Sequence, residues 1–237
     1  MNNGMRIIIS ICSTIFLFAG IISCHAGNIA NHQTPENMKA VVLPKPDLVG
    51  QTTLERTLSV RRSVRSFTNR EITLSEASQL LWAAQGITEA NRGLRTAPSA
   101  GATFPIEVYF IAANVSGVER GVYQYLNTIH ELQPKIIGDV RKALLESALM
   151  QQWINEAAAI IVICADYEKT TTRYGDRGIR YVHMECGHVG QNIALQAVAL
   201  DLGTTMVGAF YDDQLKAVLN LPYHIEPLYI IPVGHPK

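Results

Sequence analysis

Between Ala157 and Ala165 the chain runs through nine residues without a single charge, with Ile160, Ile161, Val162 and Ile163 at the centre. A run that is apolar at every position, rather than at every second one, suits a central β-strand covered on both faces. Whatever fold forms must therefore place a layer of other elements on each side of this strand. The longest periodic stretch supplies one such layer. From about Asp176 to Leu202, Val182, Cys186, Val189, Ile193, Ala197 and Leu200 recur three and four residues apart, which predicts one long helix with a continuous apolar stripe, ended by Gly203.

The remaining elements follow from shorter signals. Leu54 and Leu58 lie one helical turn apart and predict a short helix leading into a basic run. Thr73-Leu74-Ser75-Glu76 is a capping box, so a helix should start there, carry Leu80, Leu81 and Ala84, and stop with Gly86 at C′. Residues 87–105 hold no periodic pattern and are rich in Gly, Ala, Ser and Pro. Such a long loop in a compact domain is usually functional. Ile106–Ala113, Val122–Leu126 and Ile129–Leu132 read as strands of a meander. Asp139 can cap a helix through Leu149, Thr204–Ala209 reads as a short strand, and Asp212 or Asp213 starts another helix. Leu228–Val233 is the last strand, and its prolines suggest an edge or a bend. Helices and strands are mixed, with an early meander, which predicts an α+β fold rather than a doubly wound parallel sheet.

The chain divides into three parts. Arg6 precedes a nearly unbroken apolar stretch, Ile7 to Ile22, followed by small residues, which is the pattern of a secretory signal over residues 1–26. Ile21-Ile22-Ser23-Cys24 matches a lipobox, so Cys24 is a candidate for lipidation and membrane tethering. Cys24-His25-Ala26 is the competing site for ordinary cleavage. The expectation is an exported protein, periplasmic or anchored as a lipoprotein. Residues 27–51 read as a polar linker, and the domain spans 52–237. Lys plus Arg number 20, as do Asp plus Glu. A formal charge of zero argues against nucleic acid as a partner. The body's two cysteines, Cys164 and Cys186, sit in apolar patterns and read as buried free thiols. His183 and His188 are five apart, about 140° around a helix, so no metal site is expected.

Three segments carry candidate chemistry. Arg61-Arg62-Ser63-Val64-Arg65 places three guanidiniums and a hydroxyl in five residues, a set that grips phosphate bidentately. On its own the run reads equally well as a solvated basic face. Pro98-Ser99-Ala100-Gly101 lies in the long loop, where small residues allow a flat ligand to approach the backbone. Val207-Gly208-Ala209 follows the long helix and can present backbone amides. Read singly, the second and third segments are also consistent with a plain loop and a strand.

Together, in this order and spacing, these segments resemble the FMN-binding nitroreductase superfamily, and more narrowly its SagB-type dehydrogenase branch. Further carriers are Arg180-Tyr181, Glu185-Cys186-Gly187-His188 through Gln191-Asn192, Leu202-Gly203 and Pro232-Val233-Gly234-His235-Pro236. The resemblance implies a nitroreductase-like, mainly antiparallel sheet flanked by helices, and a homodimer with FMN at the subunit interface. It implies contacts from Arg61, Arg62, Ser63 and Arg65 to the phosphate, ribityl chain and pyrimidine edge. Pro98, Ser99, Ala100 and Gly101 would come from the other subunit, and Val207, Gly208 and Ala209 would lie near the flavin ring. The implied activity is FMN-dependent oxidoreduction of a small substrate by a ping-pong route, with NAD(P)H as donor. The alternative is an exported flavin carrier or sensor without turnover. Two departures stand out. The chain stops at Lys237, where many superfamily members place a later phosphate-binding cation. Arg173-Tyr174 also stands where azoline-oxidising relatives carry Lys-Tyr, and arginine cannot serve as a general base.

Overall fold

A computed structural model describes residues 39–237. The expected targeting segment, Cys24 and the first part of the linker lie outside the described residues. No helix among the described residues is long and apolar enough to cross a membrane.

The elements are, in chain order, β1 (Val41–Val42), α1 (Leu54–Val60), α2 (Leu74–Gln85), β2 (Ile87–Glu89), β3 (Leu94–Arg95), β4 (Ile106–Ala112), β5 (Gly121–Leu126) and β6 (Glu131–Ile137). There follow α3 (Arg141–Ser147), α4 (Trp153–Glu156), β7 (Ala159–Asp166), α5 (Glu168–Tyr174), α6 (Arg177–Ala199), β8 (Gly203–Thr204), α7 (Asp212–Leu219) and β9 (Ile225–Gly234). Seven strands form one sheet in the order β1-β6-β5-β4-β7-β9-β8, with every ladder antiparallel. The fold is α+β, as the mixture of elements predicts.

The strand that was apolar at every position lies inside the sheet, and its alternation decides which layer each residue joins. Ile161 and Ile163 face a core that includes Leu80 and Leu81 of α2 and Val182, Val189 and Ile193 of α6. Ile160, Val162 and Cys164 face the other core, with Leu144 of α3 and Leu215 and Leu219 of α7. Burying side chains of this size contributes roughly 1.5–3 kcal/mol each, and β7 spends that on both faces at once. Cys164 and Cys186 are buried and unbonded.

The capping box is present: Thr73 accepts from the Glu76 amide, and the Glu76 carboxylate accepts from the Thr73 amide. Several boundaries differ from expectation. Gly86 ends α2 with φ −63, not in the left-handed conformation expected of a C′ glycine. Its requirement is steric, because an added Cβ would fall 2.1 Å from Trp82 Cδ1. Residues 87–105 are not a structureless loop: β2 and β3 pair as a small hairpin, followed by a short 3-10 turn at Ala100–Ala102. The third meander strand starts at Glu131 instead of Ile129, since His130 has a positive φ and Ile129 falls in the turn. The helix α3 is shorter than expected, ending before Leu149 and Met150, both with positive φ. The helix α6 stops at Ala199, where Asp201 turns left-handed, and Gly203 belongs to β8.

The prolines of β9 do not mark an edge, because β7 and β8 flank it. Pro227 adjoins a register shift against β7. Ile230 exchanges both backbone bonds with Val207, so Pro232, two residues on, turns its missing donor to the same side, where residues 205–206 leave the ladder. The second half of the linker also joins the domain. Val41 and Val42 pair with β6, Leu43 is buried, and Asp47 accepts and donates against Gln79.

Candidate functional site

The basic run owes its shape to the helix before it. Thr53 caps α1 by accepting from the Arg56 amide, and Arg61 ends it by leaving the helical conformation, with φ −51 and ψ 126, its amide donating to Thr57 O. From there the chain is drawn out alongside two distant segments. Ser63 bridges Thr204 in the same direction, and the Val64 amide donates to Thr204 O at 2.9 Å. Further on, Phe67 bridges Pro236, the Thr68 amide donates to His235 O, and the Lys237 amide donates to Ser66 O. Two glycines permit this approach. A Cβ on Gly203 would sit 2.7 Å from Val64 Cβ, and one on Gly234 would sit 2.9 Å from the Phe67 ring.

The extended backbone sorts the side chains. Phe67 is buried and Val64 half-buried, whereas Arg62, Ser63 and Arg65 are exposed and Arg61 half-buried. Arg62 Nη1 donates to the carbonyls of Ser59 and Arg61. The Arg65 guanidinium lies 5.6 Å from the centre of the Trp153 ring. None of the three arginines has a carboxylate partner among the described residues. Three adjacent unneutralised cations on one extended segment repel one another and favour an anion between them. A cavity of about 250 Å³ opens beside the run, lined by Val60, Arg62, Val64, Thr204 and Pro236. Lys237 reaches the same neighbourhood. Its ammonium bonds Glu156 at 3.0 Å, which holds that exposed carboxylate below its usual range.

The Val207 segment meets this one. After Thr204 the chain leaves β8, and Val207 returns to bridge Ile230. Gly208 and Ala209 then stand exposed, with amides that have no partner among the described residues. The Ala209 carbonyl accepts from Gln151 Nε2 at 2.9 Å, which fixes the direction of the peptide. The first and third predicted segments are thus brought together. Between them they offer guanidiniums without carboxylate partners and two exposed amides without partners, donors that suit an anionic acceptor, on backbones that Gly203 lets approach at Val64.

The second segment is held elsewhere, by α5 and α6, and no hydrogen bond joins it to the arginine run among the described residues. Pro98 and Gly101 are exposed, and Ser99 and Ala100 half-buried. Arg173 Nη1 donates to Gly101 O at 2.9 Å, and Thr103 Oγ1 bonds Thr170 Oγ1 at 2.8 Å. Asn192 Nδ2 donates to the Thr96 carbonyl just before the segment. The Arg173-Tyr174 pair is therefore a contact of this loop. Tyr174 in turn packs edge-on against Tyr181.

Two polar groups outside the predicted cofactor-binding set are also buried or paired near this loop and α6. Glu185 is 2% exposed and lies on α6 between Val182 and Val189 of the apolar stripe, a placement that was visible as an acid within that stripe. Arg95 stacks over Phe104 at 4.3 Å and donates to Gln85 Oε1 at 2.8 Å. His183 and His188, weighed as metal ligands, are exposed, and His183 Nε2 instead pairs with the Tyr167 hydroxyl at 2.6 Å.

With this geometry in place, similarity to known proteins identifies the class. The Nitroreductase family model matches residues 58–235, and the chain belongs to that family, and with it to the flavin oxidoreductases. A protein of Methanocaldococcus jannaschii, provisionally described as a nitroreductase, is 46% identical over 189 residues, covering 80% of this chain and 93% of its own. The NAD(P)H FMN reductase of Bacillus subtilis is 25% identical over 197 residues, covering 76% of this chain and 65% of its own. Among solved structures, a provisionally assigned nitroreductase from Ralstonia eutropha superposes with a TM-score of 0.74 at 26% identity, covering 87% of this chain and 93% of its own.

Proposed function

We propose that this chain is an FMN-dependent oxidoreductase of the SagB-type dehydrogenase branch, working as a homodimer that passes electrons from NAD(P)H or another donor to a small substrate. The observation that carries this reading is the set of three guanidiniums without carboxylate partners on a segment that pairs with Thr204, four residues before the unpaired amides of Gly208 and Ala209 begin. Bound FMN would supply the two-electron chemistry, so the chain needs no nucleophile of its own. Arg61, Arg62, Ser63 and Arg65 would hold the phosphate, ribityl chain and pyrimidine edge. A guanidinium at that edge stabilises negative charge developing there. The amides of Gly208 and Ala209, next to Val207, are donors for the ring's centre.

The dimer accounts for the separation of Pro98, Ser99, Ala100 and Gly101 from the arginine run: they would serve the second subunit's cofactor. Apolar side chains left in solvent support a covered face. Leu54 and Leu58 of α1 are 59% and 52% exposed, and Ile179 and Met184 of α6 are exposed as well. Leu54 also lines a groove of about 500 Å³ with Trp82, Asn192 and Leu195. Isolated apolar residues are ordinary on a surface, but Leu54 gives this groove an exposed apolar rim, which suits a partner's surface.

The test is the visible spectrum of the purified protein. It is expected to be yellow, to bleach on anaerobic addition of NAD(P)H or dithionite, and to recover with an added electron acceptor. A protein that stays colourless after FMN supplementation overturns the reading. One that bleaches and is not reoxidised by any acceptor is a carrier or sensor instead. Export, with Cys24 as lipid anchor, is part of the proposal. It is checked by fractionation and by mass spectrometry of the mature N-terminus.

A further inference from the structure

We propose that the chain holds a second ligand site, a cavity for one small carboxylate, where the sheet splits between β4 and β5. The ladder between these strands runs from Ala112 and Gly121 only as far as Tyr109 and Gln124. Beyond that point each strand keeps its other neighbour. Ile106 still pairs with Ala165 of β7, and Leu126 still pairs with Glu131 of β6. Residues 106–108 and 125–126 therefore face each other without a ladder, in the interior of the sheet. Peptide groups turned toward such a gap need partners from elsewhere. A cavity of about 180 Å³ lies in the split, with Ile106 and Val108 on one side and Tyr125 and Leu126 on the other.

Side chains take over where the ladder stops. Gln124 Nε2 donates to Glu107 Oε2 at 3.1 Å, and Lys169 Nζ of α5 reaches Glu107 Oε1 at 3.2 Å. Asn127 Nδ2 donates to the Gln85 carbonyl at 3.0 Å, tying the turn after β5 to the end of α2. The acid of the cavity wall is thus paired. Arg95, which also lines the cavity, is not: no carboxylate lies within ion-pair distance of it among the described residues. Its guanidinium is nonetheless fixed in place. The centre of the Phe104 ring lies 4.3 Å from it, and the buried Gln85 accepts from Nη1 at 2.8 Å. Nε is buried without a partner, whereas Nη2 makes no hydrogen bond and keeps contact with solvent. A stacked, anchored guanidinium with an open edge and no counter-charge is preorganised for an anionic oxygen.

Size and charge narrow the ligand. Pockets for drug-sized ligands begin at about 300 Å³, so this cavity suits a few heavy atoms and excludes a flavin or a nicotinamide dinucleotide. Glu107 in the wall repels a dianion such as phosphate more than a monoanion. A planar, singly charged carboxylate matches the guanidinium edge. The cavity shares no residue with the arginine run or with Gly208 and Ala209, so this site goes beyond the FMN reading.

The test is an NMR titration of the purified protein with sodium acetate. Sodium chloride at equal pH and ionic strength is one control, and acetamide, the uncharged isostere, is the other. The side-chain amide signals of Gln124 and Asn127 are expected to shift saturably at roughly millimolar acetate, as befits a ligand of so few atoms, and to stay put in both controls. Arg95→Gln is expected to weaken acetate binding at least about tenfold. Thr128→Glu, at an exposed position on the cavity lining, brings in a competing carboxylate without disturbing the core, and should weaken binding as well. It decides the matter should Arg95→Gln fail to fold. Signals that ignore acetate, or that move equally with acetamide, overturn the proposal, as does wild-type affinity in either folded variant. Shifts confined to the Gly208 and Ala209 amides also overturn it, and would place the carboxylate at the arginine run while leaving the FMN reading intact.

Discussion

Tyr174 and Gly101 lie 73 positions apart in the chain, yet a Cβ on Gly101 would come within 2.4 Å of the Tyr174 hydroxyl. The same glycine has φ 58 and accepts from Arg173 through its carbonyl. Steric and conformational demands coincide at one residue, in the loop proposed to lie against the partner's cofactor. Gly101→Ala is therefore expected to lower flavin affinity at least tenfold, with a loss of stability of about 1–2 kcal/mol from the left-handed backbone alone. Fluorescence titration with FMN and a urea melt would separate the two effects. Wild-type affinity in the variant would remove the loop from the binding site.

The arginines differ in how free they are. Arg62 already donates to two carbonyls, whereas Arg61 and Arg65 make no side-chain hydrogen bond among the described residues. Hydrogen bonds to charged groups contribute about 1.5–3 kcal/mol, so Arg61→Ala and Arg65→Ala should each weaken FMN binding roughly ten- to hundredfold. Arg62→Ala should cost less. Since Arg65 lies over Trp153, quenching of tryptophan emission on FMN addition provides the readout.

Gly203 and Val64 make a pair that can be tested as a pair. Alanine at 203 would press on Val64 Cβ at 2.7 Å, an overpacking worth about 1–3 kcal/mol. Val64→Ala leaves a Cβ in place and relieves only the branch atoms, so the double variant should recover part of the loss. A double-mutant cycle by thermal melting, showing strict additivity, would mean that the two residues do not couple.

Acid should loosen the N-terminal arm. His130 Nε2 sits by Ser78 Oγ and the Pro44 carbonyl, and Nδ1 by the Tyr125 hydroxyl. Burial, the largest influence, lowers its pKa from the ordinary 6.5, so the neutral ring is the folded form. That contribution is present above pH 6.5 and is lost as the pH falls below it. Exchange of the Leu43 amide, which donates to His130 O, should quicken below pH 6, and His130→Gln should remove the effect.

The basic run is where sequence and structure divide most clearly. Its residue types, and the order of the three segments, were legible in the chain, and so was the family they resemble. The pairing of Ser63 with Thr204, and the fit of Val64 against Gly203, were not. These contacts join residues roughly 140 positions apart, and no local pattern encodes which strand a segment will lie beside. Glu185 shows the limit from the other side. Its place in the apolar stripe was readable, but the carboxyl's burial depends on what packs over α6.

By itself the sequence determined what local chemistry can decide: the capping box at Thr73 and Glu76, the long helix through Val182 and Ile193, and the central strand at Ile160–Ile163. Capping and periodicity act within about one turn or a few residues, so the chain carries them wherever it goes. Only the tertiary structure decided that Val41–Leu43 joins the sheet, that residues 87–95 form a hairpin, and that the strand carrying Pro232 lies inside rather than at an edge. It also separated Pro98–Gly101 from the arginines within one subunit. Those outcomes depend on which apolar surfaces remain to be covered once the local elements exist, and that is a property of the packed whole.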